Sequence, residues 1–224
     1  MKVNIQKNIN LLNYTTIKVG GQTEYFAEPA NISELENILK WASDKNINCQ
    51  IFGAGSNLLI SGNIWKGLFI CTKKLKAINL NPETGILEAE SGVMLPTISN
   101  LLAKNSCMGG EWSIGIPGTV GGAIFMNAGY GDFSISKHLI SVKVIDIQTL
   151  NIFNISSKDL TFRYRYSPFQ KNKLIILSAK FYFRPGGDKD LITKVTKANL
   201  KKKTDSQPYH QPSFGSVFKN PDNY

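Results

Sequence analysis

The sequence predicts a fold that mixes helices and strands in two successive units, and three observations carry that prediction. Short β-type runs and one amphipathic helical stretch alternate in the first third of the chain. Longer β-type runs follow in the middle. Two glycine-rich segments, 53–59 and 109–131, interrupt the units where a regular element would otherwise continue.

In the first unit, Glu24-Tyr25-Phe26-Ala27-Glu28-Pro29 is a short strand stopped by proline. Asn31 or Ser33 caps a helix running to about Lys45, with Ile32, Leu35, Ile38, Leu39 and Ala42 on one face. Cys49-Gln50-Ile51-Phe52 is a buried strand, and Gly67 to Thr72 is another. In the second unit, Ile86 to Glu90 alternates as a strand. Pro96 to Ala103 is a short helix, proline being tolerated in its first turn. Leu139 to Ile147 and Lys173 to Phe183 are long strands. Pro185-Gly186-Gly187 breaks the chain before a basic helix, Asp188 to Lys203, and the tail after Thr204 has little periodicity.

Bulk properties narrow the function. The 224 residues suffice for one large domain or two modest ones, and 42% hydrophobic with 19% charged residues is ordinary for a soluble globular protein. No apolar run is long enough to span a bilayer, and Met1 to Lys7 lacks the apolar core of a signal peptide, so a cytoplasmic protein is expected. Cys49, Cys71 and Cys107 form no C-x-x-C pair, and with His138 and His210 they build no zinc spacing, so buried free thiols and no metal are expected. The net charge of +10 is concentrated late, at Lys189, Lys194, Lys197 and Lys201-Lys202-Lys203, and points to an anionic partner. A phosphorylated small molecule fits. Nucleic acid does not, because no recognisable motif is present and the aromatics are not interleaved with the lysines.

The glycine-rich segments carry the chemistry. In Gly53-Ala54-Gly55-Ser56-Asn57-Leu58-Leu59, glycines after a strand let the backbone turn and aim N–H groups at one point, a nest for a phosphate. Leu58 stands where the third glycine of the dinucleotide fingerprint belongs, so a Rossmann site is not indicated. The alternative is a tight loop without a ligand. In Gly115 to Gly129, five glycines and Pro117 suit close backbone approach to a large ligand, and Thr119 is placed to open a helix facing a diphosphate. A purely structural glycine turn is the alternative there.

Five blocks, in order, resemble the MurB family of peptidoglycan enzymes, the UDP-N-acetylenolpyruvoylglucosamine reductases. They are Asn13-Tyr14-Thr15-Thr16-Ile17-Lys18-Val19-Gly20-Gly21, then Gly53 to Leu59, then Gly115 to Gly129, then Tyr164-Arg165-Tyr166-Ser167-Pro168-Phe169, and last Gly215-Ser216-Val217-Phe218-Lys219-Asn220-Pro221. The resemblance implies an α+β, two-part FAD-binding domain of the vanillyl-alcohol oxidase/PCMH type, followed by the start of a substrate-binding domain. The division expected is 1–74 and 75–187 for the two FAD-binding subdomains and 188–224 for the substrate domain. The short connection from Arg165 to the basic helix resembles the subtype without the extra substrate-covering loop.

That resemblance implies bound FAD, NADPH as reductant, and reduction of an enolpyruvyl ether on a UDP-sugar to UDP-N-acetylmuramate. Cofactor contacts are expected from Gly53, Ala54, Gly55, Ser56, Asn57 and Leu58, and from Gly115, Pro117, Gly118, Thr119, Gly121, Gly122, Asn127, Ala128 and Gly129. Arg165 matches the family's catalytic arginine, with Arg163 as the neighbouring alternative. Ser216 matches its proton donor. Tyr164 and Asn220 are expected to position substrate, with Lys203 or Lys219 near the UDP phosphates, although the lysine run equally suits a solvated helix end. Oligomeric state is not fixed by the sequence.

Two departures stand out. Tyr130-Gly131 follows Asn127-Ala128-Gly129 at once, where the family usually carries an extra small residue. The chain reaches only Tyr224, and the family's catalytic glutamate near its C-terminus has no counterpart in these residues. If the chain is complete as it stands, weak or absent turnover with flavin binding retained is expected; the reductase reaction remains the first expectation. The alternative function is an inactive or partner-dependent flavin-binding fragment.

Overall fold

A computed structural model describes residues 3–221; Met1, Lys2, Asp222, Asn223 and Tyr224 lie outside the described residues. The first sheet has four strands in the order β1-β2-β4-β3: β1 (Gln6–Asn10), β2 (Gln22–Ala27), β3 (Cys49–Phe52) and β4 (Ile64–Cys71). Strands β2, β4 and β3 run parallel and β1 is antiparallel to β2. Helix α1 (Ile32–Asp44) is the connection between β2 and β3. Asn31 caps it, its side chain accepting from the Glu34 N–H at 2.9 Å, and Leu35, Ile38, Leu39 and Ala42 are buried. Every residue from Gly67 to Cys71 is buried, as expected for the inner part of a strand covered on both faces.

The second sheet has five antiparallel strands in the order β10-β9-β11-β6-β5: β5 (Ile78–Asn81), β6 (Ile86–Glu90), β9 (Leu139–Asp146), β10 (Ile152–Ser156) and β11 (Leu174–Tyr182). Helix α2 (Leu95–Lys104) and the short helix α3 (Val120–Met126) connect β6 towards β9, with a small hairpin of β7 (Gly129–Tyr130) and β8 (Phe133–Ser134) after α3. Helix α4 (Lys189–Ser206) follows β11, capped by Asp188, and packs on α2 and on the single turn Glu111–Ser113.

The two sheets share apolar packing. One buried cluster joins Leu35, Leu39, Leu68 and Ile70 from the first sheet and its helix to Ile145, Ile175 and Leu177 from the second. A larger cluster around Leu87, Leu102, Val120, Val142 and Phe181 fills the second unit. This packing fixes the loop after β3 against the segment that precedes α3. No helix among the described residues is long and apolar enough to cross a membrane.

Candidate functional site

The two glycine-rich segments meet. A Cβ added at Gly53 would lie 2.2 Å from the Thr119 Oγ1, and one at Gly118 would make only ordinary contacts, with the Ser56 Oγ at 3.9 Å and the Ile116 Cγ2 at 4.0 Å. Gly55 has φ +66 and lies against the backbone of Tyr14 and Thr15, and its carbonyl accepts from the Thr16 N–H at 3.4 Å. Three of the sequence blocks therefore converge on one place. None of the backbone N–H groups of residues 54–58 donates to another described residue, which leaves a row of amides open to an anion. The Leu58 side chain packs beside the Leu11, Phe26 and Phe52 cluster, so only its backbone is offered.

Thr119 caps α3, accepting from the Gly122 N–H at 3.4 Å. The first-turn amides are largely used inside the protein: Val120 donates to the Val93 carbonyl and Gly121 to the Ser91 carbonyl, both at 2.8 Å. The start of α3 is hydrogen-bonded to the segment 91–95, whereas the N–H groups of the loop after β3 have no such partners among the described residues. Gly121 is held close for packing, since a Cβ there would lie 2.9 Å from the Ser91 Cβ.

The other end of α3 holds a hairpin. Asn127 closes the helix in the left-handed region, φ 44, and its Nδ2 donates to the Arg163 carbonyl at 2.9 Å. Arg163 and Tyr166 exchange backbone hydrogen bonds of 3.1 and 3.0 Å, which puts Tyr164 and Arg165 at the tip. Arg165 has φ 54, its guanidinium lies 5.1 Å over the Tyr164 ring, and its Nη2 reaches the Gly129 carbonyl at 3.4 Å. Ser167 Oγ donates to the Phe125 carbonyl at 2.7 Å. Gln170 Nε2 donates to the Phe125 carbonyl at 2.9 Å and the Arg165 carbonyl at 3.2 Å. Gln170 was not anticipated; it ties the nearby Arg165 carbonyl to the distant Phe125 carbonyl, and nothing in the local pattern marks it. Arg163 is exposed and its side chain takes no part in these contacts.

The tail crosses between these regions. The Ser213 carbonyl accepts from Thr16 Oγ1 at 2.6 Å, and the Asn220 N–H donates to the Tyr164 hydroxyl at 3.3 Å. Ser216 lies between these anchors, exposed, one residue after Gly215 with φ 84; Lys219 is exposed as well. Lys203 faces inward. It is 2% exposed, and its ammonium donates to the Trp112 and Ile114 carbonyls at 2.5 and 2.6 Å and lies 4.5 Å over the Tyr130 ring. Burial pushes its pKa down to about 8. The solvated-helix-end alternative fails for this lysine for the same reason. The helical spacing Ile192, Thr196, Asn199, Lys203 is the signal that identifies it as inward-facing.

The thiols are free; Cys71 and Cys107 are buried and Cys49 is half-buried. Burial pushes both Cys49 and Cys71 up to about 11.

The FAD binding domain family matches residues 23–150, a span that includes both glycine segments and strands of both sheets. The UDP-N-acetylenolpyruvoylglucosamine reductase of Prochlorococcus marinus subsp. pastoris is 57% identical over 99% of this chain and 75% of its own length. The chain belongs to the UDP-N-acetylenolpyruvoylglucosamine reductase family. The solved reductase of this family from Thermus caldophilus superimposes with a TM-score of 0.79 at 26% identity, covering 100% of this chain and 76% of that one. Wild-type Phl p 4.0202, a glucose dehydrogenase, shares the fold, with a TM-score of 0.56 at 11% identity over 78% of this chain and 38% of its own. The chain is thus an FAD-dependent oxidoreductase of the reductase family, with an α+β FAD-binding fold.

The residues present fit the cofactor. Amides at 54–58 without a hydrogen-bond partner among the described residues, an uncrowded Gly118 beside Ser56, and a Gly53 that admits no side chain against Thr119 together form a cradle of backbone. The buried Asn127 Oδ1 has no partner among the described residues and lies between this cradle and the Arg165 hairpin in sequence and in contacts.

Proposed function

We propose that this chain carries out NADPH-dependent reduction of UDP-N-acetylglucosamine enolpyruvate to UDP-N-acetylmuramate, a step in making peptidoglycan precursor. The observation that carries the reading is helix α3. Its N-cap touches the loop after β3 and its C-cap holds the hairpin bearing Arg165, so one short rigid element links a cofactor cradle to a fixed guanidinium. When bound, FAD would supply hydride-transfer chemistry between NADPH and the enol ether. The diphosphate of the cofactor is assigned to the amides of Gly53, Ala54, Gly55, Ser56, Asn57 and Leu58.

As the carbon–carbon double bond is reduced, negative charge develops beside the substrate carboxylate. Arg165 is permanently cationic and grips a carboxylate through two parallel hydrogen bonds, stabilising that charge. Ser216 supplies the proton to the neighbouring carbon. A serine hydroxyl is a weak acid, and an enolate carbon is basic enough to take its proton. Supporting these roles, Thr16 and Tyr164 anchor the tail on either side of Ser216. Tyr164 and Asn220 position the sugar, and Lys219, exposed beside them in sequence, meets the UDP phosphates. We also assign residues 1–74 and 75–187 to the two FAD-binding subdomains and 188–224 to the beginning of the substrate domain.

The test is a single turnover without oxygen. FAD-loaded protein is reduced with NADPH, freed of excess nucleotide, and mixed with UDP-N-acetylglucosamine enolpyruvate. Return of the oxidised-flavin absorbance with formation of UDP-N-acetylmuramate supports the proposal. Flavin that stays reduced with substrate but is reoxidised by air would refute it.

A further inference from the structure

Helix α4 and the residues after it grip one short segment by its carbonyls. Asn199 Nδ2 donates to the Glu111 carbonyl at 3.1 Å. One turn on, Lys203 takes the Trp112 and Ile114 carbonyls at 2.5 and 2.6 Å. The Tyr209 hydroxyl donates to the Gly115 carbonyl. This segment runs directly into Ile116-Pro117-Gly118-Thr119, the side of the cradle that faces Ser56. Gly115 itself has φ +73, and a Cβ there would lie 3.0 to 3.4 Å from Tyr209, Leu200 and Lys203. The same ammonium lies over Tyr130, which follows Gly129, the carbonyl that Arg165 reaches.

A buried cation is costly unless its donors are satisfied. No carboxylate pairs with Lys203 among the described residues, and its partners are backbone oxygens and a ring face. Charge-assisted bonds of this kind are stronger and shorter than neutral ones. The hydrogen bonds hold the backbone at 112–114 and the cation–π contact holds the Tyr130 side chain, one on each side of the site. This is the geometry of a latch, and it leaves the ammonium no direction in which to meet a solvent-borne phosphate.

We infer that Lys203 is a positioning residue that sets the flavin-facing loop 115–119 against the Gly129–Tyr130 strand, rather than a ligand of the UDP phosphates. The inference rests on the FAD reading above. Lys203 then acts through backbone it does not share with the substrate.

The test uses the full chain and two readouts, FAD affinity from quenching of flavin fluorescence and the visible circular dichroism of bound FAD. Lys203→Met is expected to weaken FAD by about tenfold or more, the scale of losing a charge-assisted hydrogen bond, and to change the dichroism. Lys203→Arg is expected to recover most of both, and Lys202→Met, on the exposed side, to change neither. Affinity for uridine diphosphate at saturating FAD is expected to stay within about twofold. Unchanged FAD affinity and dichroism in Lys203→Met, with weakened uridine diphosphate, would overturn the inference and restore a phosphate role. If Lys203→Met does not fold, Tyr209→Phe interrogates the same latch. A shifted dichroism with FAD weakened about threefold supports it, and a wild-type spectrum and affinity oppose it. Failure of the wild type to bind FAD would overturn the FAD reading together with this one.

Discussion

Arg165 holds a left-handed backbone that a non-glycine residue adopts only when its surroundings impose it. Gln170 and Asn127 impose it, through the carbonyls of Arg165 and Arg163. Arg165→Lys keeps the positive charge and loses the two-point fork, so the single-turnover rate is expected to fall about a hundredfold while FAD affinity is retained. An unchanged rate would remove Arg165 from the chemistry. Gln170→Leu is expected to slow the same step by about tenfold through the loosened tip, since it removes hydrogen bonds without touching substrate. Arg165 was legible only through the block Tyr164 to Phe169, whereas Gln170 was not, because it serves carbonyls as far away as Phe125. The thiols give a pH signature. Cys49 and Cys71 are pushed from 9.0 up to about 11, so between these values the unfolded chain has released protons that the folded chain keeps. Their contribution to stability is full below pH 9.0 and is lost as pH rises through about 11. Lys203, pushed down from 10.5 to about 8, contributes the opposite slope. Denaturant midpoints of the wild type and of a Cys49→Ala, Cys71→Ala double variant isolate the thiol part: the variant is expected to lose less stability across that window.

At the scale of elements, the strands with apolar cores were readable to within a few residues. Cys49–Phe52 and Ile86–Glu90 fall where the sequence puts them, and α4 starts at the Asp188 cap and runs on to Ser206. The strands β1, β5 and β10 were not legible. Each is at a sheet edge and short: β1 is polar and exposed, β5 alternates over only four residues, and β10 has no buried residue, so none carries a buried apolar run. Short α3 was legible at its Thr119 cap, but the loss of its first-turn amides to Ser91 and Val93 was not, because those partners depend on tertiary packing. The α1 cap is a local feature and its cost is correspondingly local. Asn31→Ala is expected to destabilise the protein by about 1 kcal/mol, measured by urea unfolding, without altering FAD affinity.

Across the whole molecule, two sheets share a core so that two loops distant in sequence can share a ligand. The junction is narrow at Gly53, where a Cβ would meet Thr119 at 2.2 Å. Gly53→Ala is expected to force the loops apart, lowering FAD affinity by more than about tenfold and stability by about 1–3 kcal/mol. That the blocks belong to one site was legible from their order and residue types; how they meet required the shared packing of Leu35, Leu68, Ile145 and Leu177. The most direct test is the visible absorption spectrum of the purified protein after FAD is added and free cofactor removed. A retained oxidised-flavin spectrum at one FAD per chain is the expected result, and a folded protein that remains colourless would contradict the cradle and everything assigned to it.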